Sequence, residues 1–166
     1  MSMFYDIYGL SKERNGPTIE RFLSHFCYRN ALDPLSDKWL QVAENEHYQV
    51  PEVELPLKSI ADLIDYAVQN PTHCFVFYNQ EALRPDITCV FLKFTYDRKV
   101  VFGVSIEETG INLEDNFPHA LTIEAEIIRI TGAYKSFIAV EEPPAKDEKA
   151  FDADKEAWQG IRDRLS

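Results

Sequence analysis

Histidine and cysteine stand side by side at His73-Cys74, within the stretch NPTHCFVFYN at residues 70–79. A thiol next to an imidazole is the raw material of a nucleophile and its base. The apolar run that follows predicts a strand over 73–78, and neighbours in a strand point to opposite faces. His73 then aligns with Phe75 and Phe77, and Cys74 with Val76 and Tyr78, so the two cannot bond to each other. Only a histidine from elsewhere (His25, His47 or His119) could activate Cys74, and no local signature nominates one. Cys74 therefore reads as a packing residue. A bridge between Cys74 and Cys89, on predicted neighbouring strands, is disfavoured by a reducing setting.

Other chemistries are sparse. The four histidines form no H-x-x-x-H or H-E-x-x-H pattern, and Asp115 to His119 is the single acid–His spacing able to share a helical turn. Three cysteines, Cys27, Cys74 and Cys89, are an odd number without C-x-x-C, which argues against a disulfide framework and a Cys-rich zinc site. No glycine sits in a phosphate-binding loop, and Gly103-Val104-Ser105 lacks the second glycine of a nucleophile elbow. Tyr8-Gly9-Leu10 with Tyr5 could serve a site at a strand end, and a turn after the first strand explains Gly9 equally well. No cofactor is expected. What remains is grouped carboxylate: Glu107-Glu108 at a strand end and Glu114-Asp115 in the loop beyond. Such a group could bind a cation, form an acid/base pair, or serve as an acidic recognition face.

Net charge is −11 with a sequence pI near 4.8, and its distribution is uneven. Residues 39–57 carry Glu44, Glu46, Glu52 and Glu54 without a Lys or Arg. Residues 100–128 carry Glu107, Glu108, Glu114, Asp115, Glu124 and Glu126, again without a Lys or Arg. Such a field repels nucleic-acid backbones and anionic membranes and speeds association with a basic partner. Basic patches interleaved with aromatics are missing, no apolar stretch approaches a membrane span, and the N-terminus lacks the pattern of a signal peptide. A soluble, cytoplasmic protein is expected.

The elements that position these residues follow from periodicity. MFYDIY at 3–8 reads as a first strand. Asn15-Gly16-Pro17 opens a helix whose Ile19, Phe22, Leu23, Phe26 and Cys27 share one apolar face. Segment 30–57 is looser, with a helical turn at Trp39-Leu40 and an edge strand from His47 to Leu55. Ser59 caps a second helix that Asn70-Pro71 ends. Three strands follow, at 73–78, 86–96 and 99–107, the last two as a hairpin around Asp97-Arg98. Residues 118–131 alternate like a strand yet carry helix punctuation in Pro118 and Gly132; the punctuation selects a helix. Lys135 to Glu142 is a strand, and the tail is a charged helix with a thin stripe of Phe151, Trp158, Ile161 and Leu165.

The order β-α-β-α-β-β-β-α-β-α predicts a single-domain α+β two-layer sandwich, a mixed or antiparallel sheet with helices packed on one face. Residues 1–144 form the globular domain and 145–166 a charged helix docked on it. The expected function is a non-catalytic acidic interaction module, of the immunity type found in bacteria that neutralises a basic toxin or nuclease. Its expected partner is a basic protein, with neither nucleic acid nor membrane as ligand. Glu107, Glu108, Glu114 and Asp115 are the first contact candidates, Glu44, Glu46, Glu52 and Glu54 the second, and Trp39 and Tyr48 the apolar anchors. The rivals are a small enzyme or ligand-binding protein with a pocket assembled from dispersed residues, and a self-associating module or homodimer.

Overall fold

A computed structural model describes residues 3–35, 38–43, 53–110 and 113–165. Five strands form one antiparallel sheet: β1 (Phe4–Ser11), β4 (Phe75–Asn79), β5 (Cys89–Phe94), β6 (Val100–Glu107) and β7 (Lys135–Val140), in the order β4-β5-β6-β1-β7. The first strand in sequence lies between β6 and β7, and its residues from Tyr5 to Ser11 are buried. The fold is α+β, as the periodicity predicts.

Alternation decides the two faces. Tyr5 and Ile7 of β1, Phe75 and Phe77 of β4, Val90, Leu92 and Phe94 of β5, and Val100, Phe102, Val104 and Ile106 of β6 all enter the main core. Three helices cover that face: α1 (Gly16–Phe26), α2 (Ile60–Gln69) and α3 (Phe117–Thr131). Each buries the stripe its spacing implies, Ile19, Phe22, Leu23 and Phe26 on α1 and Ile60, Leu63, Ile64 and Ala67 on α2. Their starts carry the capping chemistry in the sequence: Asn15 accepts from Thr18 N–H, and Ser59 from Asp62 N–H. For α3, Pro118 lies in the first turn and Gly132 ends the helix at φ 67°, where a side chain would be strained. Tertiary burial and this punctuation outweigh the β-branched content of 118–131.

The tail helix, α4 (Glu148–Leu165), departs from the single helical layer. It begins on the opposite sheet face, where Phe151 packs edge-on against Phe137 at 4.8 Å, and crosses β7 so that Ile161 reaches the main core. Arg162 pairs with the buried Glu124 of α3. Segment 30–57 also differs from expectation. Trp39-Leu40 belongs not to a helical turn but to β2 (Lys38–Val42), which pairs with β3 (Val53–Leu57) in a separate two-stranded sheet. A run as short as KWLQV suits either conformation, and the partner strand decides. The predicted strand from His47 is described only from Val53 onward.

Gly9 is likewise no turn. It lies mid-strand, and a Cβ there would come within 2.8 Å of Ile127 and 2.9 Å of Ala133. Its bare backbone lets α3 lie close on the sheet. Gly103 plays the matching part on the other face. A cross-strand row runs Tyr78–Phe91–Gly103–Tyr8–Phe137 through all five strands. The Tyr8 ring lies over Gly103, 2.6 Å from where a Cβ would sit, and spans to Phe91 at 6.0 Å and Phe137 at 5.6 Å. Gly103→Ala should therefore cost about 1–3 kcal/mol by overpacking. Thermal denaturation checks this, and Tyr8→Leu in the same chain should recover part of the loss; an additive double variant would show that the ring is not the cause.

Candidate functional site

Beyond that aromatic row, toward the end of β6, the second sheet face is left open by α4. Two further rows of side chains cross it. Cys89, Ser105, Asp6 and Ala139 form the inner row, and Glu107 sits opposite Phe4 in the outer one. Glu141 follows β7 with its N–H on the Phe4 carbonyl, so Phe4 has an acid on either side. Together with Tyr78, Gln80, Thr88 and Phe91, all of these except Ala139 line a cavity of about 610 Å³. Three lining residues are carboxylates, three are aromatic, and none is Lys, Arg or His.

Asp6 is the buried member of the group, 6% exposed within the aromatic β1. Ser105 Oγ donates to its Oδ1, and the N–H of Glu142 donates to its Oδ2 at 2.9 Å. Burial is the largest influence on its carboxyl, and with the charges of Glu141 and Glu142 it outweighs those two hydrogen bonds; the pKa is pushed up to about 6. Ser105 is itself fixed, its carbonyl accepting from Thr88 N–H at 2.9 Å and Thr88 Oγ1 at 3.0 Å. Glu107 stands exposed at the rim. Glu141 holds a left-handed backbone at φ 50°, uncommon outside glycine and costly unless the surroundings require it. Tyr78, 46% exposed, meets Phe91 edge-on at 5.2 Å and gives the cavity an aromatic wall open to solvent.

The residues singled out in the sequence take different parts. Glu107 lines the cavity. Glu108 lines a smaller one of about 290 Å³ on the other side, with Tyr5, Asp115 and Arg164. Asp115 is a structural acceptor, bonding Tyr5 OH and the Phe117 N–H at 2.8 Å each, at the start of α3. Glu114 is exposed in the loop beside it. Glu54 is exposed on β3, and Trp39 belongs to β2. Their small sheet meets the main one where Ala43 pairs with Cys74, at the end of β4 remote from Glu107. Glu54 thus does not join the first group. Glu44, Glu46, Glu52 and Tyr48 lie outside the described residues.

The strand predicted over 73–78 runs instead from Phe75 to Asn79, with His73 and Cys74 just before it and engaged by different partners. His73 Nδ1 bonds Tyr66 OH at 2.8 Å, while Cys74 is buried with its thiol pKa raised by that burial. Cys74 and Cys89 sit at opposite ends of the β4–β5 pair, and none of the three cysteines forms a disulfide. His119 bonds Asp86 at 2.9 Å rather than Asp115. Among the described residues no three His, Cys, Asp or Glu side chains are placed to hold a metal ion, and no helix is long and apolar enough to cross a membrane.

Asp6 and Glu141 are the site residues that sequence reasoning passes over. The signal for Asp6 is present: in FYDIY the strand period puts a carboxylate on one face between Phe4 and Tyr8. Glu141 carries no such signal, because its place depends on β7 pairing with β1. No family model, curated protein or solved structure matches the chain.

Proposed function

We propose that this protein is a non-catalytic acidic interaction module that captures a basic protein, of the kind that neutralises a toxin or nuclease. The observation that carries the reading is the cavity on the open sheet face, where Asp6, Glu107 and Glu141 converge beside Phe4, Tyr78 and Phe91 with no cation among the lining side chains. Acidic clefts with low-dielectric walls focus the field and attract cationic groups at long range. The aromatic rings add apolar contact of the type that anchors interfaces. The net charge of −11 extends that attraction over the whole molecule. A cytoplasmic setting belongs to the same proposal, supported by three buried cysteines that form no disulfide.

The test is a titration of the isotopically labelled chain with oligo-arginine and oligo-lysine peptides, followed residue by residue by NMR. Both should shift the amides of Ser105, Glu107 and Glu141 at about 50 mM salt and lose most of the effect at about 500 mM, where charges are screened. Absence of binding by either peptide at low salt rejects the interaction reading. It would leave the rival of a small enzyme, which the raised carboxyl of Asp6 inside a cavity otherwise supports.

A further inference from the structure

Resting on the acidic-module reading, the geometry points to the occupant of the cavity: one arginine side chain of the partner, held between Asp6 and Glu107 with its plane against the Tyr78–Phe91 wall. The register supplies the spacing. Asp6 lies opposite Ser105 and Phe4 opposite Glu107 on antiparallel strands, so Asp6 and Glu107 are diagonal neighbours on one face. Diagonal neighbours stand about 7–8 Å apart along the backbone, and both side chains leave the same face of the sheet. A guanidinium donating to a carboxylate on each side needs a gap of that order, with charge-assisted bonds of about 2.8 Å.

Three features select arginine over lysine. Oxygen acceptors stand on two strands rather than at one point, which suits a planar fork of five donors better than a compact ammonium. The walls are aromatic, and a guanidinium stacks on such faces while giving up less hydration. Asp6 is nine-tenths buried, its neighbours Ser105 and Glu142 N–H fixing both oxygens in place, so the incoming group meets an acceptor that is already oriented. Glu141, on the far side of Phe4, closes the rim and adds the third negative charge.

The experiment uses three short Gly/Ser peptides, identical except for a central arginine, lysine or citrulline, titrated into the full chain by NMR. The arginine peptide should shift Ser105, Glu107 and Tyr78, and bind about fivefold or more tighter than the lysine peptide. Citrulline, with the same planar shape and no charge, should shift none of them. Asp6→Asn and Glu107→Gln, each verified as folded by an otherwise unchanged spectrum, should each weaken the arginine peptide at least about fivefold. Equal binding of arginine and lysine, or shifts confined to other surfaces, overturns the arginine assignment while oligopeptide binding keeps the basic-partner reading intact. Failure of oligo-arginine and oligo-lysine alike removes both. Spermidine serves as the free-cation arm, and tighter binding of spermidine than of the arginine peptide at the same amides would also overturn the assignment.

Discussion

Replacing Arg14 by Met should destabilise the protein by about 3–5 kcal/mol, the largest loss expected from any single polar substitution here. Arg14 lies between β1 and α1, 9% exposed. Its Nε donates to the Ala67 carbonyl at 2.9 Å, and Nη2 to those of Asn70 at 2.8 Å and His73 at 3.0 Å. Nη1 donates to the carbonyl of Thr95 at 2.9 Å and reaches that of Lys99 at 3.4 Å. These carbonyls belong to the end of α2, the link into β4, and the turn joining β5 to β6. Helix ends leave carbonyls without intrahelical partners, and a cation there is favoured by the helix dipole. The guanidinium also lies 5.1 Å from the Phe94 ring centroid. Burial lowers its pKa to about 10, so it stays charged at neutral pH. Methionine fills the volume but strands the carbonyls. Lysine keeps the charge yet cannot fan across three segments, so Arg14→Lys should recover only part of the loss. Urea denaturation measures both, and a cost for the Met variant below about 1 kcal/mol would show that water replaces the guanidinium.

Asp6→Asn should move stability the other way. The folded protein holds the Asp6 proton more tightly than the unfolded chain, pKa about 6 against 3.8. Between those values the native state binds more protons, so this group's contribution is fully present below about pH 4 and lost as pH rises through about 6. At pH 8 the charged, buried carboxylate costs about 3 kcal/mol at most. Tyr8 on the same strand, Tyr78 on β4, Cys89 on β5, and Glu141 and Glu142 beyond β7 offer it no positive charge. Asparagine keeps the shape and an acceptor for the Glu142 N–H. The variant should be more stable than the parent by about 2 kcal/mol at pH 8, with the advantage shrinking toward pH 4.5. A gain independent of pH would show that Asp6 ionises in the fold without penalty. A buried acid that lowers stability at neutral pH while facing a cavity fits a group retained for binding.

Much of this was legible locally. The two periods, 3.6 and 2, mark the stripes of α1 and α2 and the inward set of β6, because burial acts on every turn and every second residue. Pro118 and Gly132 fix α3 against its own β-branched content. The same period predicts that His73 and Cys74 part, and in the fold they lie just before β4 with different partners. Glu107 stands where the pattern places it, exposed at a strand end. Asp115 has equal grounds in the sequence, yet its Oδ1 accepts from Tyr5 OH and from the Phe117 N–H at the start of α3. Nothing in the spacing distinguishes those two acids, since the distinction is made by a tyrosine more than a hundred residues away.

The sequence by itself determined which residues alternate and where helices begin and end, because those signals come from neighbours along the chain. Strand order is a contest among long-range pairings, and only the tertiary structure decided it. Placing β1 between β6 and β7 puts Asp6 beside Ser105, Glu107 and Glu141, two residues of β6 and one from the turn that follows β7. It also lays Tyr8 across Gly103 and leaves one end of that face open where α4 turns away over β7. A strand pattern names the face a residue points to, but the partner strands supply the neighbours on that face, and a binding site consists of those neighbours.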